Sequence, residues 1–198
     1  MAKIKHLLHI HDLKSYRNAA RIVSTQLKPY LNETFHEREK VFYLNKDGRS
    51  FIGSEKEPQK PTFIAHTLLR NEVYIHFNCP SDWKNEYTLE ASIKPPSQLE
   101  AFMGSNIKFA DKLKVITDAM FTRNGYVHFI EVDHKRDMID NKKKIDKYAE
   151  ILPLKRKDYE QVPILYFFTT TETRKKKFQE LLKGRSIRHE VWTFDEIK

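Results

Sequence analysis

Residues 162–168 read Val-Pro-Ile-Leu-Tyr-Phe-Phe, an almost wholly apolar run. A strand with one wet face alternates polar and apolar residues, so this one is buried on both faces, in the middle of a mixed sheet. The neighbouring segments supply the rest of that sheet. Tyr126 to Asp133 is an apolar strand ending in carboxylates, and Lys114-Val-Ile-Thr-Asp118 precedes it across Thr122-Arg-Asn-Gly125, a hairpin signature. Tyr87 to Ile93 alternates as a strand, and His189 to Phe194 supplies a last one. Between them the spacing predicts a helix from about Met138 to Leu152, with Met138, Ile145, Tyr148, Ala149 and Leu152 on one buried face. A second helix opens at a Thr169–Glu172 capping box, turns Phe178, Leu181 and Leu182 inward and closes at Gly184.

The N-terminal part has a different rhythm. Ile4, Leu7 and Leu8 form a short helical stripe, and after Asp12 a longer one runs from Tyr16 to Leu31. The other side of the longer helix carries Arg17, Asn18, Arg21, Ser24, Thr25 and Lys28, residue types suited to phosphates and base edges. Val41 to Leu44 follows as a strand, then Asn45-Lys-Asp-Gly48 as a turn and Arg49 to Ile52 as a second strand. This is the order of a winged helix-turn-helix. Two prolines in Glu57–Pro61 interrupt the periodicity and set the boundary, giving a winged-helix-like DNA-binding domain over 1–57 and a second domain over 62–198. His66 to Phe77 then opens the second domain as an amphipathic helix burying Leu68, Leu69, Val73, Tyr74 and Phe77, and the second domain reads α-β-β-β-α-β-α-β. The stretch from Lys94 to Asp111 is irregular.

Of 198 residues, 36 are Lys or Arg and 27 Asp or Glu, a net charge of +9 that favours a polyanionic partner, with double-stranded DNA leading. The single cysteine, Cys79, forms no disulfide within the chain, and His6, His9 and His11 are read as solvated rather than as a metal site. No apolar run approaches bilayer-spanning length and the first residues lack a secretory signal, so no membrane role is expected and the cytoplasm is the expected compartment.

Strand alternation puts Glu131 and Asp133 on one face, about 6.5 to 7 Å apart at their Cα atoms. If Asp118 ends a neighbouring strand, three carboxylates converge, the oxygen set that Mg²⁺ takes. Solvated acids at strand ends are the alternative. Lys142, Lys143, Lys144 and Lys147 line the following helix, and Arg174 to Lys177 form a second basic run.

The order helix, three-strand meander, helix, strand resembles the restriction-endonuclease-like, PD-(D/E)xK nuclease fold, with Asp118 at its first acid and Glu131 at its second. Where that motif has lysine this chain has Asp133; Lys135 or Lys144 would have to supply the cation. Val41 to Arg49, His66 to His76, Phe129 to Asp133, Lys144-Ile-Asp-Lys-Tyr148, and Pro163 to Thr169 followed by a basic helix resemble the replication-relaxation family of plasmids and mobile elements. The resemblance implies a winged-helix DNA-binding part joined to a nuclease-like part, acting in replication, relaxation or transfer of the element.

Three functions follow as expectations. In the first, the chain binds duplex DNA through Arg17, Asn18, Arg21 and Lys28, assisted by Lys143 and Lys147, on a nuclease-like scaffold. In the second it is a Mg²⁺-dependent DNA endonuclease using Asp118, Glu131, Asp133 and Lys144. In the third it recruits a relaxase or replication initiator without catalysis. A homodimer is also allowed.

Overall fold

The computed structural model describes residues 1–54, 63–92 and 112–197. The expected linker at 57–61 and the irregular stretch at 94–111 lie outside them. The contacts divide the chain into two units, Met1–Ser81 with Ile197–Lys198, and Asp82–Glu196.

In the first unit, α1 spans Ile4–Ile10 and α2 spans Tyr16–Ile22, whose Ser15 cap accepts from the Asn18 N–H. The long helix expected to reach Leu31 stops there as an α-helix. It continues as a π-helical turn over Val23–Leu27 and a 3₁₀ turn over Lys28–Tyr30, where Pro29 starts the tighter winding. A hairpin follows, formed by β1, Leu31–His36, and β2, Glu39–Leu44. The chain reverses at Glu37 and Arg38, both at positive φ, a conformation usually signalled by Asn-Gly.

The expected turn and strand at 45–52 are instead a helix, α3, Lys46–Phe51. The Asn45 side chain accepts from the Gly48 N–H at 2.8 Å and caps it. Gly48 lies against the Tyr30 carbonyl, whose oxygen would sit 2.3 Å from any Cβ there, so the close approach requires glycine.

The helix expected to open the second domain, α4, Ile64–His76, belongs to the first unit. Ile64 and Leu68 share a small core with Val41, and the Asn71 amide donates to the Met1 carbonyl at 2.8 Å. His6 on α1, read from sequence as solvated, is 1% exposed and bonds Glu72 at 2.9 Å. That bond, outweighing burial, holds the Glu72 carboxyl down to about 2. The contacts thus divide the chain after Ser81, whereas the sequence placed the boundary near 57–62.

The second unit is a five-stranded mixed sheet in the order β3-β4-β5-β6-β7. Here β3 is Lys84–Ser92, β4 Lys112–Arg123, β5 Tyr126–Asp133, β6 Ile164–Thr169 and β7 His189–Thr193. The first three form an antiparallel meander, while β6 pairs in parallel with both β5 and β7. Those parallel joins are made by α5, Met138–Leu154, and α6, Glu172–Leu182. Every residue of β6 is buried, as its apolar run requires.

One face of the sheet packs Phe129, Leu165 and Phe167 against Ile145, Tyr148 and Ile151 of α5 and Phe178 and Leu182 of α6. Across it a row of rings runs from Phe121 through His128 and Tyr166 to Phe168. Burial there lowers the His128 pKa and pushes the Tyr166 hydroxyl up to about 12.

A candidate acid–lysine–tyrosine site

Strands β4 and β5 pair from Arg123 and Tyr126 up to Ala119 and Ile130, and then their ladder stops. Side chains take over the backbone groups that pairing would have satisfied. The Thr117 hydroxyl lies 2.7 Å from the Ile130 carbonyl and 2.9 Å from that of Ala119, and the Val132 N–H donates to Asp118 Oδ2 at 2.7 Å. The Ala119 and Ile130 carbonyls and the Val132 N–H thus keep partners where the ladder parts.

Glu131 stands at the opening, 3% exposed. Residues 141, 144 and 148 lie along one side of α5 at helical spacing, and from there Lys144 Nζ donates to Glu131 Oε2 at 2.5 Å. The Tyr148 hydroxyl donates to the other carboxylate oxygen, Oε1. Burial disfavours the carboxylate and raises the Glu131 pKa to about 7; the charge of Asp118 pushes it the same way, and Lys144 and Tyr148 oppose. Burial, and then Glu131, push the Tyr148 hydroxyl well above its ordinary range.

Asp133 shares the face of Glu131, as strand alternation demands, yet its chemistry is different. Arg174 grips it with two bonds, Nε to Oδ2 at 2.6 Å and a terminal nitrogen to Oδ1 at 2.8 Å. The Asn141 amide adds 2.9 Å to Oδ1 and the Thr169 hydroxyl 2.8 Å to Oδ2. With both oxygens saturated and 4% exposure, Asp133 joins α5, β6 and α6 to β5 and is not available as a metal ligand or water-orienting base. Among the described residues no three or more Asp, Glu, His or Cys side chains are arranged to hold a metal, so the expected three-carboxylate cluster does not form.

Of the expected set Asp118, Glu131, Asp133 and Lys144, the structure brings together Asp118, Glu131 and Lys144, sets Asp133 apart, and adds Thr117, Asn141, Thr169 and Arg174, which the sequence does not single out as site residues. Arg174 opens the second basic run, for which a grip on duplex DNA and a solvated face are the two sequence expectations; its partner lies 41 residues earlier, a separation that no local pattern reports. Lys175 in the same run pairs with Glu196 at 2.5 Å, leaving Lys176 and Lys177 exposed.

The candidate DNA residues sit as follows. Arg17, Arg21 and Lys28 are exposed on α2 and its continuation. Asn18 is partly turned to the helix start, its amide donating to the Leu13 carbonyl at 3.0 Å while its oxygen accepts from Arg21 at 3.0 Å. On α5, Lys147 is exposed and Lys143 is exposed with an Asp140 partner at 3.2 Å.

The second unit is thus a mixed α/β sheet carrying a buried glutamate held by a helix-borne lysine and tyrosine. A family model described as replication-relaxation matches residues 5–163, so the chain belongs to the replication-relaxation family, and membership points to a role in replication or relaxation of a plasmid or mobile element. Comparison with curated proteins finds no match. Among solved structures, protein VC1899 from Vibrio cholerae aligns at 13% identity and a TM-score of 0.42, over 95% of this chain and 42% of that one. The chain thus spans less than half of that protein, and a likeness of this size defines neither fold nor function. Among the described residues no helix is long and apolar enough to cross a membrane.

The raised pKa of Glu131 has a consequence for stability. A carboxyl lifted in the folded state contributes fully below its ordinary value of 4.5, and that contribution is lost as the pH rises through about 7. Urea unfolding at pH 5 and pH 8 should show the native chain losing on the order of 2–3 kcal/mol more than Glu131→Gln over that interval. Equal losses would contradict the burial of an ionisable group at this position.

Proposed function

We propose that the protein binds duplex DNA of a plasmid or mobile element during its replication or relaxation. The first unit acts as a winged helix-turn-helix reader and the second as a PD-(D/E)xK nuclease-like scaffold. The observation that carries the reading is the exposed row Arg17, Arg21 and Lys28 on α2 and its continuation, followed directly by the β1–β2 hairpin. Long cationic side chains on an exposed helix reach phosphates, and each neutralised phosphate releases counterions. The Arg21–Asn18 bond fixes the direction in which this guanidinium leaves the helix. Lys142 and Lys147, exposed on α5, would add grip that does not depend on base sequence.

Fluorescence anisotropy with a labelled duplex over a salt series tests this. Arg21→Ala should weaken affinity severalfold and reduce the slope of log affinity against log salt by about one. An unchanged affinity and slope would put the DNA contact elsewhere.

A second reading, metal-assisted phosphodiester cleavage, is favoured by the Glu131–Lys144 contact beside Asp118. Mg²⁺ is usually held by one or two carboxylates with water and phosphate oxygens completing its shell, so Asp118 and Glu131 fit it without Asp133. Bound there, the ion would polarise a phosphate oxygen and acidify a water. Lys144 supplies from the helix the cation that the motif places on the strand, where it offsets charge building on phosphate. Tyr148 holds the Glu131 carboxylate in register.

On this reading the protein nicks supercoiled plasmid in Mg²⁺ or Mn²⁺, and Glu131→Ala abolishes nicking while duplex affinity persists. Preparations that bind DNA and leave the plasmid intact in both metals would remove it.

A further inference from the structure

A groove of about 510 Å³ opens within the first unit, lined by α2 with its continuation and by the β1–β2 hairpin. Its volume falls within the range of small-ligand pockets, roughly 300–1,000 Å³. Ala20, Val23, Leu31 and Phe42 give it an apolar floor. Its charge is lopsided. Glu33 and Lys40 also line it, but they face each other across the hairpin at 3.0 Å and cancel. Arg21 and Lys28 are the cations that remain, and no further acid is among the lining residues. The backbone between them is the π-helical turn Val23–Leu27, a local widening that recurs at functional sites.

We propose that this groove binds a small amphiphilic anion. An apolar or aromatic body would lie on Val23, Leu31 and Phe42, and a carboxylate, sulfonate or phosphate head would meet Arg21 and Lys28. The apolar floor supplies affinity by leaving water, and the paired cations set the orientation and reject neutral or cationic analogues. A second consequence rests on the DNA reading above: because Arg21 and Lys28 belong to both surfaces, ligand and duplex exclude one another.

The test uses the full chain and a matched pair of fluorescent probes, the anionic anilinonaphthalene sulfonate and its uncharged parent phenylnaphthylamine. Saturable binding of the anionic probe is expected, weakened about tenfold by Lys28→Ala while the neutral probe keeps its affinity. Ala20→Trp should fill the groove and remove both, with Ala20→Leu taking its place if circular dichroism shows that the larger ring prevents folding. Anionic-probe binding that ignores both the Lys28 and the Ala20 substitutions would overturn the proposal. So would a concentration-dependent dimer broken by the Ala20 substitution, since the groove would then hold a second copy. If the probe binds as described but fails to displace duplex, the ligand site stands and the placement of the DNA face falls.

Discussion

The parting of β4 and β5 beyond Ala119 and Ile130 is the constraint on which the site depends. Breaking a ladder inside a sheet normally leaves amide and carbonyl groups without partners, each costing about 1–3 kcal/mol. Here Thr117 and Asp118 take those groups, so the opening is satisfied by the same strand that makes it. The gap admits a carboxylate and two donors from a helix into the middle of a packed layer.

Two acids one strand-step apart then meet opposite treatments. Asp133 receives a guanidinium fork, an amide and a hydroxyl, which makes it a buried joint between elements far apart in sequence. Glu131 receives a lysine and a tyrosine and keeps a pKa near neutrality. The first arrangement supports the second. Asn141 binds Asp133 one helical turn before Lys144, so the bond that secures the start of α5 also sets where the lysine emerges. Removing one partner of such a buried set is expensive because the other charge stays behind. Positional precision at Glu131 is thus a by-product of a joint whose own role is structural.

Much of the second unit was legible because its signals are local. The apolar run of β6, the Asn124-Gly125 turn with both residues at positive φ, and the one-sided spacing of Ile145, Tyr148 and Leu152 each report their own neighbourhood. The features that were missed are non-local or atypical. The hairpin reversal uses Glu37 and Arg38 in a conformation that Asn and Gly usually supply, and an Asn45 cap reads like a turn until its helix is seen. His6 is buried because of Glu72 and Asn71, more than sixty residues away, and those contacts also bring α4 into the first unit. Of the candidate site, Glu131 follows from strand alternation and Asp118 from its place at the end of the preceding strand, while Lys144 was expected, beside Lys135, from the resemblance to a nuclease motif that lacks its lysine here. The different fate of Asp133 was not, since it is decided by an arginine on a later helix.

The account rests on Glu131 being a buried carboxyl balanced near neutrality by a lysine from α5. Carbon-detected NMR of a side-chain-labelled sample, following the Glu131 carboxyl through a pH titration, measures this directly. The account predicts a midpoint near 7 that climbs further when Lys144 is replaced by alanine. A midpoint at the ordinary 4.5, indifferent to that replacement, would contradict it.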